Sequence, residues 1–362
     1  MISEKKLAIV CTHPIQYYVP LFQQLASKVC LMVFYSEREN NNSKYDPGFR
    51  KKIKWDIPML NGYPHAFPGR DIIAQLEIFN PDKILIYGWP FHRHLKIIRY
   101  FKGKIWFRGD SIVPEQESRL KTTFKSLLLK WVYGHVDKVF YVGTQNKFYF
   151  QKYGLREEQL IFAPHAVDNA RFGHINRQQS LAIRRQLRVP EEDILILFAG
   201  KFNRNKNPGI LLSAFCNLDL SHVHLLFVGD GDLKQKLKQD IRGLPRVHIL
   251  PFQNQTAMPA IYQASDLFCL TSIKETWGLS VNEAMAAGKA ILIADSVGCA
   301  TDLVGPENGR VFNCNSLADL QKKLCELTID KARLLKYGQR SKSIIQDWSV
   351  AQQVQTLLRE LD

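Results

Sequence analysis

KETWGLSVNEAMAAG, from Lys274 to Gly288, sets two glutamates, Glu275 and Glu283, seven residues apart across a turn into a helix. Apolar runs of strand length flank it, DLFCLTSI (Asp266 to Ile273) upstream and KAILIADS (Lys289 to Ser296) downstream. The segment therefore joins two parallel strands, at the edge where open α/β sheets bind ligands. Gly278 lets the chain turn, Leu279 begins the helix and Gly288 caps its end. Backbone N–H groups from Trp277 to Ser280 would be unsatisfied donors at a helix start, suited to a phosphate. Glu275 on the loop would face the reacting sugar, and Glu283, a turn further in, would reach vicinal hydroxyls such as those of a ribose. A glutamate opening a helix is also favoured by the macrodipole with no function attached. The spacing, with Trp277-Gly278 and the small-residue helix AMAAG, argues instead for a nucleotide-sugar site.

Outward from this stretch, strand-like runs alternate with helix-like ones in two series. The first holds LAIVCT, VCLMVFY, KILIYG, KIWFRG and KVFYVG; the second holds DILILFAG, HLLFVG, RVHIL, DLFCLTS and AILIAD. Alternation of this kind predicts βαβ units and parallel sheets. Two series in 362 residues predict two Rossmann-like domains facing each other across a cleft. The expected boundaries are 1–170 and 171–343, with a linker from about Pro164 to about Arg188 and an amphipathic helix at 344–362. The polar NNNS patch from Asn40 reads as a loop.

At 46% hydrophobic and 23% charged residues, the composition is that of a soluble globular protein. Seven cysteines without a Cys-x-x-Cys pair point to buried thiols in a reducing cytosol rather than to zinc or disulfides. MISEKKLAIVCTHP mimics a signal peptide, but His13 and Pro14 break its short apolar run, so it reads as the first strand of a cytosolic protein. The net charge is +15 and uneven. Residues 1–180 hold 27 Lys and Arg against 15 Asp and Glu, a balance of +12, and the remainder hold 22 against 19. A basic first half suits an anionic partner, nucleic acid or a membrane surface, as well as an ordinary solvated face.

Lys201 and Lys206 share one loop after DILILFAG, where cations would neutralise a leaving diphosphate in place of a metal. Asp230-Gly231-Asp232 has the spacing of a metal-holding pair. It reads as a tight turn with Asp232 capping the next helix, and no metal is expected. Arg108-Gly109-Asp110-Ser111 ends the strand KIWF. Asp110 either takes an acceptor hydroxyl's proton or holds a sugar hydroxyl, or it closes a turn through an Asx hydrogen bond. His13 follows the first strand, as a contact to the substrate or as a capping or packed histidine. From Arg119 to Val136, Leu120, Phe124, Leu127, Leu128 and Trp131 share a helix face flanked by Arg119, Lys121, Lys125 and Lys130, while Leu129 and Val132 fall elsewhere. That pattern suits a membrane interface as well as a core-facing helix.

These segments resemble the retaining glycosyltransferases of GT-B fold, the large family-four group with a Glu-x7-Glu motif. The resemblance extends over FAGKFNRNKNPGILLSAF, LLFVGDGDLKQKL and LPFQNQTAMPAIYQASDLFCLTSIKETWGL, and more loosely over THPIQYYVPLFQQLA, WFRGDS and FAPHAVDNARF, which are similar to one bacterial branch. It implies transfer of a sugar from a nucleotide-sugar donor, UDP- or GDP-type, to an acceptor hydroxyl with retention and without a metal. The base would pair with backbone near Phe252, the ribose with Glu283, and the diphosphate with Lys201, Lys206 and the Trp277-Gly278-Leu279 helix start. Glu275 would hold the sugar, and the acceptor would enter near Asp110, where relatives carry a His/Asp pair. The terminal helix would cross back to the first domain. Two departures stand out. Lys201 replaces the usual arginine and loses its bidentate fork, and the Gly-Gly pair common in relatives is absent at His13. A saccharide or lipid-linked acceptor in envelope or glycolipid synthesis, on a protein peripheral to the inner face of the membrane, is the accompanying expectation. A nucleotide-sugar epimerase of the same architecture is an alternative, but it needs acid/base groups of its own. A non-catalytic nucleic-acid binder would explain the charge, yet no stacking-aromatic RNA signature is present.

Overall fold

The computed structural model describes residues 3–37, 44–113, 119–218 and 220–362. The Asn40 patch lies outside them. Fifteen strands are formed among these residues. In chain order they are β1 (Ser3–Cys11), β2 (Val29–Tyr35), β3 (Lys44–Asp46), β4 (Lys51–Ile53), β5 (His65–Ala66), β6 (Lys83–Tyr87), β7 (Ile105–Arg108), β8 (Lys138–Tyr141), β9 (Leu160–Phe162), β10 (Ile194–Lys201), β11 (Val223–Asp230), β12 (Val247–Leu250), β13 (Leu267–Leu270), β14 (Ala290–Ala294) and β15 (Gly309–Phe312). The chain divides into two compact units. Unit 1 is Met1–Asn41, Pro58–His165 and Ser349–Asp362; unit 2 is Asn42–Ile57 and Ala166–Trp348.

Unit 1 holds a seven-stranded sheet in the order β5-β2-β1-β6-β7-β8-β9, all pairs parallel. Leu7, Ala8, Ile9 and Val10 of β1 are all fully buried, as expected where helices cover both faces of a parallel sheet. The chain lays strands outward from β1 to β5 and then returns to β6 on the other side, so strand order reverses between β1 and β6. The terminal helix Val350–Leu361 packs in this unit against the Val19–Ala26 helix, and its Gln353 side chain donates to the Pro164 carbonyl. The predicted single tail helix is broken. A short 3-10 turn at Ile345–Asp347 ends at Trp348, and Ser349 caps a fresh start by accepting from the Gln352 amide.

Unit 2 repeats the plan with six parallel strands, β12-β11-β10-β13-β14-β15, reversing between β10 and β13. The stretch expected as a linker, within which the division between the units falls at His165 and Ala166, is largely helical. Asn169–Gly173 and Arg177–Gln186 pack within unit 2 on the Met258–Ala264 and Leu279–Ala286 helices. Its polar composition belongs to amphipathic helices whose buried faces hold Phe172 and Arg184. Unit 2 also takes the β3–β4 hairpin from within the first half of the chain, which sequence patterning did not separate from its surroundings.

Candidate active site

In unit 2 the candidate residues Lys201, Lys206 and Glu275 lie at the carboxyl ends of β10 and β13, the pair at which strand order reverses. Backbone and side chains stitch the two loops there together. The Ile273 amide donates to the Asn205 carbonyl (2.7 Å), Asn205 Nδ2 to the Lys274 carbonyl (2.8 Å), and Thr271 Oγ1 to the Lys206 and Asn207 carbonyls (3.0 Å each). A second tie fixes Glu275 to the loop after β14. Its amide donates to the Ser296 carbonyl (3.3 Å), and its carbonyl accepts from Gly298 (3.0 Å). Glu275 is thus held at both peptide ends. Its carboxylate ion-pairs with Lys206, both side chains about one-fifth exposed, and lies 3.4 Å from Ser272 Oγ.

The helix opens as expected. Gly278 sits at φ 101°, a conformation that disfavours any side chain, and Leu279–Ala286 follows, with Gly288 at φ 73° beyond its end. The Trp277 side chain is buried. It donates to Asn282 Oδ1 (2.9 Å) and stacks on Trp348 at 5.1 Å, so only its backbone is placed to serve a ligand. Glu283 is 5% exposed and its Oε2 accepts from the Tyr262 hydroxyl at 2.7 Å, a partner that no pattern in the sequence signals.

Asp232 does not cap a helix. The next helix is Lys234–Asp240, with Leu233 before it, because the Leu233 amide is taken by the Phe202 carbonyl and the turn extends one residue further. Asp230 closes the turn, accepting from the Gly231 amide (3.0 Å) and from Lys234 Nζ (2.8 Å). A Cβ on Gly229 would lie 1.9 Å from the Gly200 carbonyl oxygen, so glycine is demanded by the approach of two loops. Among the described residues, no group of three His, Cys, Asp or Glu is arranged to hold a metal ion.

Lys201 ends β10 one-third exposed, 3.0 Å from Asp46 of the β3–β4 turn. Phe252, after β12, is half-buried among Phe49 (4.9 Å), Trp55 (6.3 Å) and the Lys51 ammonium, 4.1 Å above its ring. Burial pushes the Asp46 carboxyl up, but Lys201 and the Phe49 and Gly48 amides outweigh it and hold the group below the usual carboxylate range.

In unit 1 a cavity of about 170 Å³ lies at the carboxyl ends of β1, β6 and β7, lined by Thr12, Tyr18, Tyr87, Arg108, Asp110 and His165 among others. It is smaller than the roughly 300–1,000 Å³ of pockets for drug-sized ligands and suits one compact polar group. Asp110 is half exposed and 3.9 Å from His165 Nε2. His165 is 6% exposed; burial lowers its pKa, against which Asp110 pulls upward. Tyr87 is 8% exposed, and its hydroxyl has no hydrogen-bond partner among the described residues. A buried hydroxyl in that state is costly unless a ligand or water completes it. Arg108, by contrast, spends its guanidinium on the carbonyls of Ala163 (2.8 Å) and Pro164 (3.0 Å), pinning the end of β9. His13 stands beside this cavity, half exposed, its Nδ1 2.9 Å from Thr12 Oγ1 and 3.9 Å from Glu37. His165, Tyr18 and Tyr87 were missed from the sequence; FAPHAV and the strand end KILIY offered no polar spacing to mark them.

Residues 179–344 match the family described as glycosyl transferases group 1. The sulfoquinovosyl transferase SQD2 of Arabidopsis thaliana is 28% identical over 198 residues, 53% of this chain and 38% of that protein. A Campylobacter jejuni alpha-1,4-N-acetyl-D-galactosaminyltransferase acting on a diNAcBac-PP-undecaprenol-linked saccharide is 24% identical over 228 residues, 61% of this chain and 59% of that protein. The chain thus matches only about half the length of these relatives. Among solved structures, Anabaena Alr3699/HepE in complex with UDP and glucose superposes with a TM-score of 0.74 at 18% identity, covering 99% of both chains. That likeness shows the GT-B fold.

Proposed function

The chain belongs, through residues 179–344, to the group 1 glycosyl transferases, and we propose that it moves a sugar from a nucleotide-sugar donor to an acceptor hydroxyl with retention of configuration. The observation that carries this reading is the stitched pair of loops at the β10/β13 reversal, which sets Lys206 against Glu275. Lys201, Lys206 and the helix start at Leu279 supply positive charge for the diphosphate, so transfer proceeds without a metal. Glu283, oriented by Tyr262, takes the ribose hydroxyls, and backbone near Phe252 takes the base. Glu275 holds the sugar. The bond from the anomeric carbon to the diphosphate breaks as the acceptor oxygen bonds to the same face, and the acceptor's proton passes to the leaving phosphate oxygen. On unit 1, Asp110, with His13 near it, receives the acceptor hydroxyl, and the Tyr87 cavity takes a polar group of the acceptor. Thermal-shift and calorimetric titration with UDP and GDP, with and without EDTA, tests the donor side. One of the two should stabilise the chain, with transfer activity surviving chelation. Absence of binding by either, or activity lost with EDTA and restored by Mn²⁺, overturns it.

The acceptor is proposed to be a lipid-linked saccharide met at an anionic membrane surface. No helix among the described residues is long and apolar enough to span a membrane. In the Arg119–Tyr133 helix, Leu129 and Val132 are fully buried while Leu127, Leu128 and Trp131 are 64%, 42% and 43% exposed, beside an exposed Lys130. The side chains of Arg119, Leu120, Lys121 and Phe124 lie outside the described residues. An outward apolar edge beside the exposed Lys130 fits a helix resting in a headgroup layer. Replacing Leu127, Leu128 and Trp131 with Ser should release the protein from anionic vesicles without altering nucleotide binding. A wild type that ignores such vesicles at low salt would make the acceptor a soluble saccharide.

A further inference from the structure

Among the described residues the β3–β4 hairpin pairs only with itself, three residues a side, and a two-stranded ribbon of that length does not hold its shape in water alone. It is held by unit 2, and its contacts fall on one line. Asp46 meets Lys201 at the end of β10, Lys51 lies 3.7 Å from Asp230 at the end of β11, and Phe49 and Lys51 cover Phe252 just after β12. Beyond the hairpin, Asn254 Nδ2 donates to the Lys54 carbonyl (2.7 Å), and the Thr256 amide and hydroxyl donate to Asp56. The hairpin therefore lies along the carboxyl edge of three successive strands, the ligand-binding edge of such a sheet. At its turn, the Asp46 carboxylate accepts from the Gly48 (2.8 Å) and Phe49 (3.1 Å) amides and also holds the Lys201 ammonium. The lysine stem runs so close to Gly48 that a Cβ there would lie 2.5 Å from Lys201 Cδ and 2.9 Å from Nζ.

We propose that this hairpin is a wall of the donor site, an inference that rests on the nucleotide-sugar reading above. In it Asp46 and Gly48 position Lys201 for the diphosphate, and Phe49 with Phe252 and Lys51 forms the slot that admits a base. The ligand is the nucleoside diphosphate part of the donor. Lysine carries several rotatable bonds, and a turn that fixes its stem supplies the orientation that arginine's planar fork would otherwise bring. An aromatic pair with a cation beside it offers a stacking face to any base, so Phe49 separates nucleoside diphosphates from bare pyrophosphate.

Calorimetry of the full chain with UDP, GDP and inorganic pyrophosphate tests this. Phe49→Ala should weaken the nucleoside diphosphate that binds by about tenfold and leave pyrophosphate within twofold. Gly48→Ala, which need only displace the end of a flexible side chain, should weaken both by a similar factor. With Lys201→Ala already in place, Gly48→Ala should have no further effect, which a general loss of folding would not reproduce. In the unmutated protein, UDP or GDP should slow hydrogen exchange of the 44–53 amides. Tighter binding in Phe49→Ala or Gly48→Ala would make the hairpin an obstruction and overturn the proposal. So would equal losses for UDP and pyrophosphate in Phe49→Ala, or unchanged exchange on ligand binding. If Lys201→Ala and Lys206→Ala both leave UDP and GDP affinity intact, the underlying donor site has failed rather than the wall.

Discussion

Both units place polar side chains at a strand-order reversal, but they arrange charge in opposite ways. In unit 2 the Lys206–Glu275 and Lys201–Asp46 pairs are partly exposed and internally matched, on loops tied by several backbone hydrogen bonds. In unit 1 the cavity is walled by tyrosines, its cation is spent on backbone carbonyls, and a buried Tyr87 hydroxyl lacks a partner. The first arrangement suits a ligand that brings high charge and exchanges with existing ion pairs. The second suits a neutral ligand that brings hydroxyls. The proposed donor diphosphate and the proposed saccharide acceptor differ in just this respect.

The largest expected effect breaks the comparison on the unit 2 side. Glu275→Ala should lower kcat by about 10²–10³, the usual loss on removing a group aimed at developing charge. Nucleoside diphosphate affinity should change little, because the freed Lys206 ammonium still faces the phosphates. Steady-state kinetics with parallel calorimetry decides. A raised donor KM with intact kcat would make Glu275 a ground-state binder.

Next in size is Lys206→Ala, expected to weaken nucleoside diphosphate binding by about 1.5–3 kcal/mol, the range for a charge-assisted hydrogen bond. Unchanged calorimetric affinity would remove the phosphate from this loop. The unit 1 counterpart is Tyr87→Phe, which deletes one hydroxyl and keeps the ring packing. An acceptor hydrogen bond lost there is worth about 1 kcal/mol, so acceptor KM should rise about fivefold with donor binding unaltered. If Tyr87→Phe instead stabilises the chain and leaves acceptor KM untouched, the cavity is structural.

The same contrast governs what could be read beforehand. Strand runs were legible because parallel strands buried on both faces are written as unbroken apolar stretches, as in ILILFAG and LAIVC. The two glutamates and two lysines were legible because each pair lies within one loop or one helix start, where spacing is geometry. Asp46, Tyr262 and His165 were not. Each meets its partner from far along the chain, Asp46 reaching Lys201 and Tyr262 reaching Glu283, and no local period records such a meeting. The β3–β4 hairpin failed for a related reason. It is polar and only three residues a side, and its place is set by docking rather than by its own propensity. The Asp232 cap failed because the Phe202 carbonyl outcompeted a local side chain for the turn.

The smallest expected effect tests whether both units carry an acid-labile histidine. In unit 2, burial and the neighbouring His224 push His248 down to about 4, its Nε2 3.2 Å from His224 Nδ1 with the rings stacked at 5.4 Å. Burial also lowers His165 in unit 1. A folded-state pKa below the unfolded value of about 6.5 means that the unfolded chain takes up the proton first as pH falls. The stability associated with neutral His248 is therefore complete above about pH 6.5 and is lost progressively between about pH 6.5 and 4. His248 is partly exposed, so the loss is discounted to about 1 kcal/mol between pH 6.5 and 5. His248→Gln should remove that slope from urea unfolding followed at pH 7, 6 and 5, while leaving the slope contributed by His94, His165 and His224, which burial also lowers. A variant that keeps the full acid dependence would assign it to the other histidines that burial lowers, His224 in unit 2 and His94 and His165 in unit 1.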